Sequence, residues 1–170
     1  MSELLQEFPG AQRALFRAYH IGGCSSCGFS PEETLAQVCQ RNNGLPVDQV
    51  VETILSAHEA ERKMQIEPEE LSQRLKEKSP IAVVDVRSRE EWDAVRLEKS
   101  QFLTQELMQE MLTRWPKEHE IVFVCHHGVR SLDAAAFFVG HGFTDAKSLA
   151  GGIDAWSVRV DPSLPRYHLE

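Results

Sequence analysis

The sequence has no apolar run that approaches the length of a membrane span, so a membrane partner is not expected. It is poor in cations: 18 Lys and Arg stand against 26 Asp and Glu, for a formal net charge of −8. The cations are scattered, which argues against nucleic-acid binding. Cysteine is scarce too. Cys24, Cys27, Cys39 and Cys125 are too few for a secreted disulfide scaffold, and in an intracellular chain they read as catalytic, redox or metal-binding. The first residues, Met1 to Glu7, are acidic and lack a basic stretch followed by an apolar one, so no secretory leader is expected. These absences together predict a soluble cytoplasmic protein. What is present is 170 residues with a 42% apolar fraction, enough for one ordinary domain and a small module.

The most informative stretch is Cys125-His126-His127-Gly128-Val129-Arg130-Ser131. It follows Ile121-Val122-Phe123-Val124, a short β-branched run expected as a buried parallel strand. It precedes Leu132 to Val139, Ala-rich and expected as a helix. The cysteine therefore falls in a strand-to-helix turn, where open α/β sheets bind ligands. The first amides of a helix lack intrahelical partners, and the helix dipole adds positive charge there. A thiol facing such a cradle is expected to ionise readily. Gly128 permits a backbone conformation that a side chain resists. Arg130 adds a permanent charge and a planar fork of donors.

Around this loop, strands and helices alternate from Gln65 onward. Expected strands are Gln65-Ile66 at an edge, Ile81 to Val86, Ser100 to Leu103, Ile121 to Val124 and Lys147 to Ala150. Expected helices start at Pro68, at a Ser88/Glu91 capping box, after Thr104, after the loop, and after Gly151-Gly152. Met108, Met111 and Trp115 are expected as packing residues. The alternation predicts an α/β fold, a doubly wound parallel sheet.

Residues 65–158 resemble the rhodanese family of sulfurtransferases. The matching words are Val83-Val84-Asp85-Val86-Arg87 with Glu90-Glu91-Trp92, the Cys125 to Ser131 loop, and Gly142-Phe143 with Leu149 to Trp156. Cysteine phosphatases of the tyrosine-phosphatase type place one more residue between Cys and Arg, which makes a roomier loop. The resemblance implies that Cys125 is the catalytic nucleophile and carries a persulfide. His126, His127, Gly128, Val129, Arg130 and Ser131 then form the substrate-binding loop. Asp85 is expected near the cleft, pairing with an arginine more readily than doing acid–base work. Arg87 is a candidate for attracting an anionic donor such as thiosulfate, or an ordinary surface charge. The implied reaction moves sulfane sulfur from thiosulfate or a protein persulfide to a thiol or to cyanide, with no cofactor required. A docking module whose loop only binds partners, and a phosphatase or arsenate reductase, are the rival readings. One departure is Val95 to Ser100, which lacks the Gly-His-Ile-Pro-Gly-Ala type stretch of many family members.

Residues 1–64 read as a small all-helical module, and 159–170 as a C-terminal tail. A helix is expected at Ala11 to Tyr19, ended by His20 to Gly23. Another is capped by Ser30 and Glu33 and runs to about Arg41, and a third opens at Pro46-Val47-Asp48. Tyr19 to Cys24, Cys27, and Glu33-Thr34-Leu35 leading to Cys39 resemble the hybrid-cluster-protein-associated disulfide domain. That resemblance implies a redox role for Cys24 and Cys27. Zinc or an iron–sulfur cluster on Cys24, Cys27 and Cys39 is a less favoured alternative, and Cys39 also fits as a core residue. A sulfur relay from Cys125 to the Cys24/Cys27 pair is expected, within one chain or across a homodimer.

Overall fold

The computed structural model describes residues 1–22 and 28–166. The chain divides into two units, Met1–Lys63 and Met64–Glu170.

The first unit is helical: α1 (Ser2–Glu7), α2 (Ala11–Tyr19), α3 (Leu35–Arg41) and α4 (Val47–Lys63). Leu15, Ile21, Val38, Cys39, Val50 and Ile54 pack together as its core. One helix ends where expected, and another starts later than expected. His20 itself adopts the left-handed conformation that closes α2, its N–H bonding the Leu15 and Phe16 carbonyls. The helix expected from Ser30 starts only at Leu35, with Thr34 as cap and Gln37 completing the box. The Ser30 amide does bond the Glu33 carboxylate at 2.7 Å. However, the Met1 ammonium donates to the carbonyls of Pro31 and Glu33, which holds that segment as a turn. The short helix α1 was not signalled by any cap, and none of its side chains caps it.

The second unit carries β1 (Gln65–Ile66), α5 (Pro68–Lys76), β2 (Ala82–Asp85), α6 (Arg89–Ala94), β3 (Gln101–Phe102), α7 (Gln105–Arg114), β4 (Ile121–Val124), α8 (Val129–Gly140), β5 (Ala146–Leu149) and α9 (Gly152–Arg159). The strands form one sheet in the order β1-β5-β4-β2-β3, and every pairing is parallel. All four residues of β2 and of β4 are buried, as expected for strands covered on both faces. Successive side chains of a strand point to opposite faces, and the core divides accordingly. Val83, Val122, Val124 and Leu149 pack with Leu71, Ile153 and Trp156 of α5 and α9. Val84, Ile121 and Phe123 pack with Met111 of α7 and Ala135 and Phe138 of α8. The chain leaves β2 toward β3 but leaves β4 toward β5, so winding reverses between these central neighbours. Ligands of open α/β sheets bind at such a reversal, beyond the carboxyl ends of the strands. The segments that meet there are Cys125 to Gly128 and Asp85 to Arg87. No helix among the described residues is long and apolar enough to cross a membrane.

Candidate functional site

The loop between β4 and α8 wraps the cysteine sulfur. Cys125 is 1% exposed. The Gly128 N–H donates to its Sγ at 3.1 Å, and Ser131 Oγ lies 3.2 Å from it. Gly128 has φ +90, and a Cβ there would come within 3.0 Å of the Gly151 nitrogen and 3.2 Å of the Leu149 carbonyl oxygen. Glycine is thus required twice over, for the left-handed turn and for the close approach. Helix α8 starts directly after it, and its own ladder begins with the Leu132 N–H bonding the Gly128 carbonyl. The loop's outer carbonyls are bound as well. The Ile153 N–H donates to the Cys125 carbonyl at 2.8 Å, and the Asp154 N–H to that of His126 at 3.2 Å. The start of α9 therefore clamps the loop, and its first residue, Gly152, has no Cβ to collide with these two carbonyls.

The loop histidines differ from each other. His126 is buried and His127 exposed, with ring centroids 3.9 Å apart, edge to face. Burial, and after it the neighbouring His127, pushes the His126 imidazole below its ordinary range, which favours a neutral ring. Val129 is exposed at the loop's end.

Arg130 does not stand alone as a charge facing the sulfur. Its Nη1 and Nη2 each donate at 2.8 Å to the Glu91 carboxylate. Glu91 is buried, and it also completes the capping box of α6 by accepting the Ser88 N–H at 2.9 Å. From sequence, Glu91 showed as a cap and as part of the first family-like stretch. Its pairing with Arg130 needs α6 and α8 side by side, across 39 residues of chain.

Asp85 and Arg87 sit at the end of β2 with both side chains fully buried. The Arg87 Nε and Nη2 donate to Asp85 at 2.8 and 2.6 Å, and Nη2 also donates to the Val95 carbonyl at 2.6 Å. Asp85 thus pairs with an arginine, whereas the Arg87 guanidinium is neither a surface charge nor open to solvent as an anion lure. Its bond to Val95 anchors the start of the divergent 95–100 stretch. Replacing one partner of a buried pair strands the other's charge. Arg87→Leu is expected to destabilise the fold by about 3–5 kcal/mol, read as a drop in denaturant midpoint. The exposed Arg89→Leu should change it by about 0.5 kcal/mol or less. Equal, small losses from both would refute this reading of the pair.

Cys24 and Cys27, and with them the relay expected from Cys125, lie outside the described residues. Cys39 is 1% exposed in the helical core, and burial pushes its thiol up. That environment suits a packed thiol better than a nucleophile.

Comparison with known proteins agrees with the geometry of the second unit. The chain is 35% identical over 113 residues to the probable adenylyltransferase/sulfurtransferase MoeZ of Mycobacterium tuberculosis, a match covering 65% of the chain but only 29% of that larger protein. It is 34% identical to the thiosulfate sulfurtransferase GlpE of Pseudomonas fluorescens over 52% of the chain and 81% of the relative. A sulfurtransferase of Allochromatium vinosum is 31% identical over 55% of the chain and 87% of the relative. A crystal structure of a Bacillus halodurans protein superposes with a TM-score of 0.50 at 27% identity, covering 61% of the chain and 79% of that protein. The family model of the rhodanese-like domain matches residues 67–159, more than half of the chain. The first unit lies outside that match. With the cysteine loop clamped between β4, α8 and α9 and its relatives named as sulfurtransferases, the chain belongs to the rhodanese-like domain family.

Proposed function

We propose that the chain transfers sulfane sulfur through a persulfide on Cys125. The observation that carries this is the position of Sγ, on the Gly128 N–H at 3.1 Å and directly ahead of the first turn of α8. In the first half-reaction the Cys125 thiolate attacks the outer sulfur of thiosulfate, or of another anionic sulfane donor, and sulfite or the donor's thiolate leaves. In the second, a thiol or cyanide takes the outer sulfur. The charge on that outer sulfur is met by the α8 dipole and first-turn amides. The four-residue spacing between Cys125 and Arg130 leaves a small cradle, which favours a single sulfur over a tetrahedral phosphate. The setting proposed for this reaction is the cytoplasm. MoeZ extends well beyond the matched region.

Thiosulfate:cyanide transfer and aryl-phosphate hydrolysis, assayed side by side, separate the readings. Thiocyanate formation without phosphate release is the expected result. Phosphate release alone would indicate a phosphatase, and no turnover with either would indicate a docking module.

Arg130 helps fix the loop through Glu91, and only a planar fork can grip both carboxylate oxygens. Arg130→Lys is expected to lower transfer by about tenfold, the effect of one strong charge-assisted hydrogen bond. A rate equal to wild type, measured as thiocyanate, would remove Arg130 from the mechanism.

A further inference from the structure

Two buried serine hydroxyls form a chain that ends on the Cys125 sulfur. Ser131 Oγ lies 3.2 Å from Sγ, and Ser148 Oγ lies 2.8 Å from Ser131 Oγ. Ser148 also donates to the Gly128 carbonyl at 3.3 Å. Both serines are fully buried. Ser131 belongs to the first turn of α8, whereas Ser148 lies on β5, opposite Phe123 of β4 and Gln65 of β1. A residue buried on both faces of a parallel strand is ordinarily apolar, so a serine there calls for a reason.

A hydroxyl carries one proton and can also accept, so this chain can run in two directions. In one, Ser148 donates to the Gly128 carbonyl, Ser131 donates to Ser148, and the sulfur receives no O–H. In the other, Ser131 donates to Sγ and Ser148 donates to Ser131. The Gly128 carbonyl keeps the Leu132 N–H in both, so reversal strands no acceptor. A charged Sγ selects the second direction, since hydrogen bonds to ions are the stronger ones. A persulfide, whose charge lies on the outer sulfur, selects the first.

We propose that Ser148 is a positioning residue for sulfur discharge, turning the Ser131 hydroxyl onto Sγ as the S–S bond breaks. This rests on the persulfide cycle proposed above. In discharge the acceptor's lone pair forms a bond to the outer sulfur. The S–S bond breaks, and its electron pair stays on Sγ as the thiolate. No proton changes owner: the Ser131 hydroxyl turns its hydrogen bond onto Sγ, and the Ser148 hydroxyl turns its hydrogen bond onto Ser131 Oγ. In loading, the Sγ electron pair is used to form the new S–S bond, so the same donor gives no assistance. The serine pair therefore favours one half-reaction.

Single-turnover kinetics on the full chain test this. The protein is loaded with thiosulfate and discharged with cyanide, and loading is measured at a pH where its rate no longer rises. Ser148→Ala is expected to slow discharge about tenfold without slowing loading, and to leave more persulfide on the protein at steady state by mass. Ser131→Ala should show the same split. The double variant should be no slower than Ser131→Ala alone, because Ser148 acts through Ser131. A change that merely loosens the loop would slow both halves alike. Discharge of Ser148→Ala at the wild-type rate, or equal slowing of loading and discharge, overturns the serine role. If wild-type protein takes no sulfur from any sulfane donor, the cycle itself falls and the serine role with it.

Discussion

Cys125→Ser is expected to abolish sulfur transfer, by a thousandfold or more, while leaving the fold in place. The substitution exchanges one atom in a side chain that is 1% exposed. A serine oxygen can still accept the Gly128 N–H now held by Sγ at 3.1 Å, so the loop keeps its shape. What is lost is the chemistry. A hydroxyl is a far weaker nucleophile than a thiolate. An oxygen also cannot store the sulfane sulfur as a persulfide. The check is thiocyanate formation together with a melting curve. Turnover in a folded Cys125→Ser protein would remove the persulfide mechanism.

Gly152→Ala is expected to cut transfer by about a hundredfold, although residue 152 belongs to α9 and not to the loop. Its φ is +63, and a Cβ would fall 2.3 Å from the carbonyl oxygens of both Cys125 and His126. Neither oxygen is the end of a flexible side chain. Both are backbone atoms, held by the Ile153 and Asp154 amides. Relief therefore means moving the cysteine loop off the start of α9, and a displacement near 1 Å at a reacting centre can cost about a hundredfold. Gly142 supplies the control. It also has positive φ, at +92, but a Cβ there meets nothing within 4 Å. Gly142→Ala should carry only the backbone strain, about 1 kcal/mol of stability, with transfer unchanged. Steady-state thiocyanate rates and melting curves of the two variants decide the matter. Equal transfer in both would show that the clamp does not set the loop.

Much of the second unit is written in short-range signals. Ser88 and Glu91 form the box their spacing predicts, Thr104 caps α7, and the apolar runs at 82–85 and 121–124 are the two central strands. The cysteine loop is equally local, because strand, glycine and helix follow one another along the chain. What the sequence hides are partners brought together by the fold. Arg87 looks like a surface cation until β2 buries it against Asp85 and the Val95 carbonyl. Arg130 looks like an unopposed charge until α6 delivers Glu91 to it. Ser148 looks like a polar interruption of a strand, and only the β4–β5 register puts it under the sulfur's neighbour. In the first unit, the Met1 amine donates to the carbonyls of Pro31 and Glu33, thirty and thirty-two residues along the chain. No local periodicity encodes that.

The most direct measurement is the mass of each cysteine-containing peptide after the reduced protein is incubated with thiosulfate. With a persulfide on Cys125, the peptide carrying it gains one sulfur atom, and cyanide removes that atom with one equivalent of thiocyanate formed. The peptides carrying Cys24, Cys27 and Cys39 need gain none for this exchange. The account is contradicted if the Cys125 peptide gains nothing, or if Cys125→Ser protein still takes up and releases the same equivalent of sulfur.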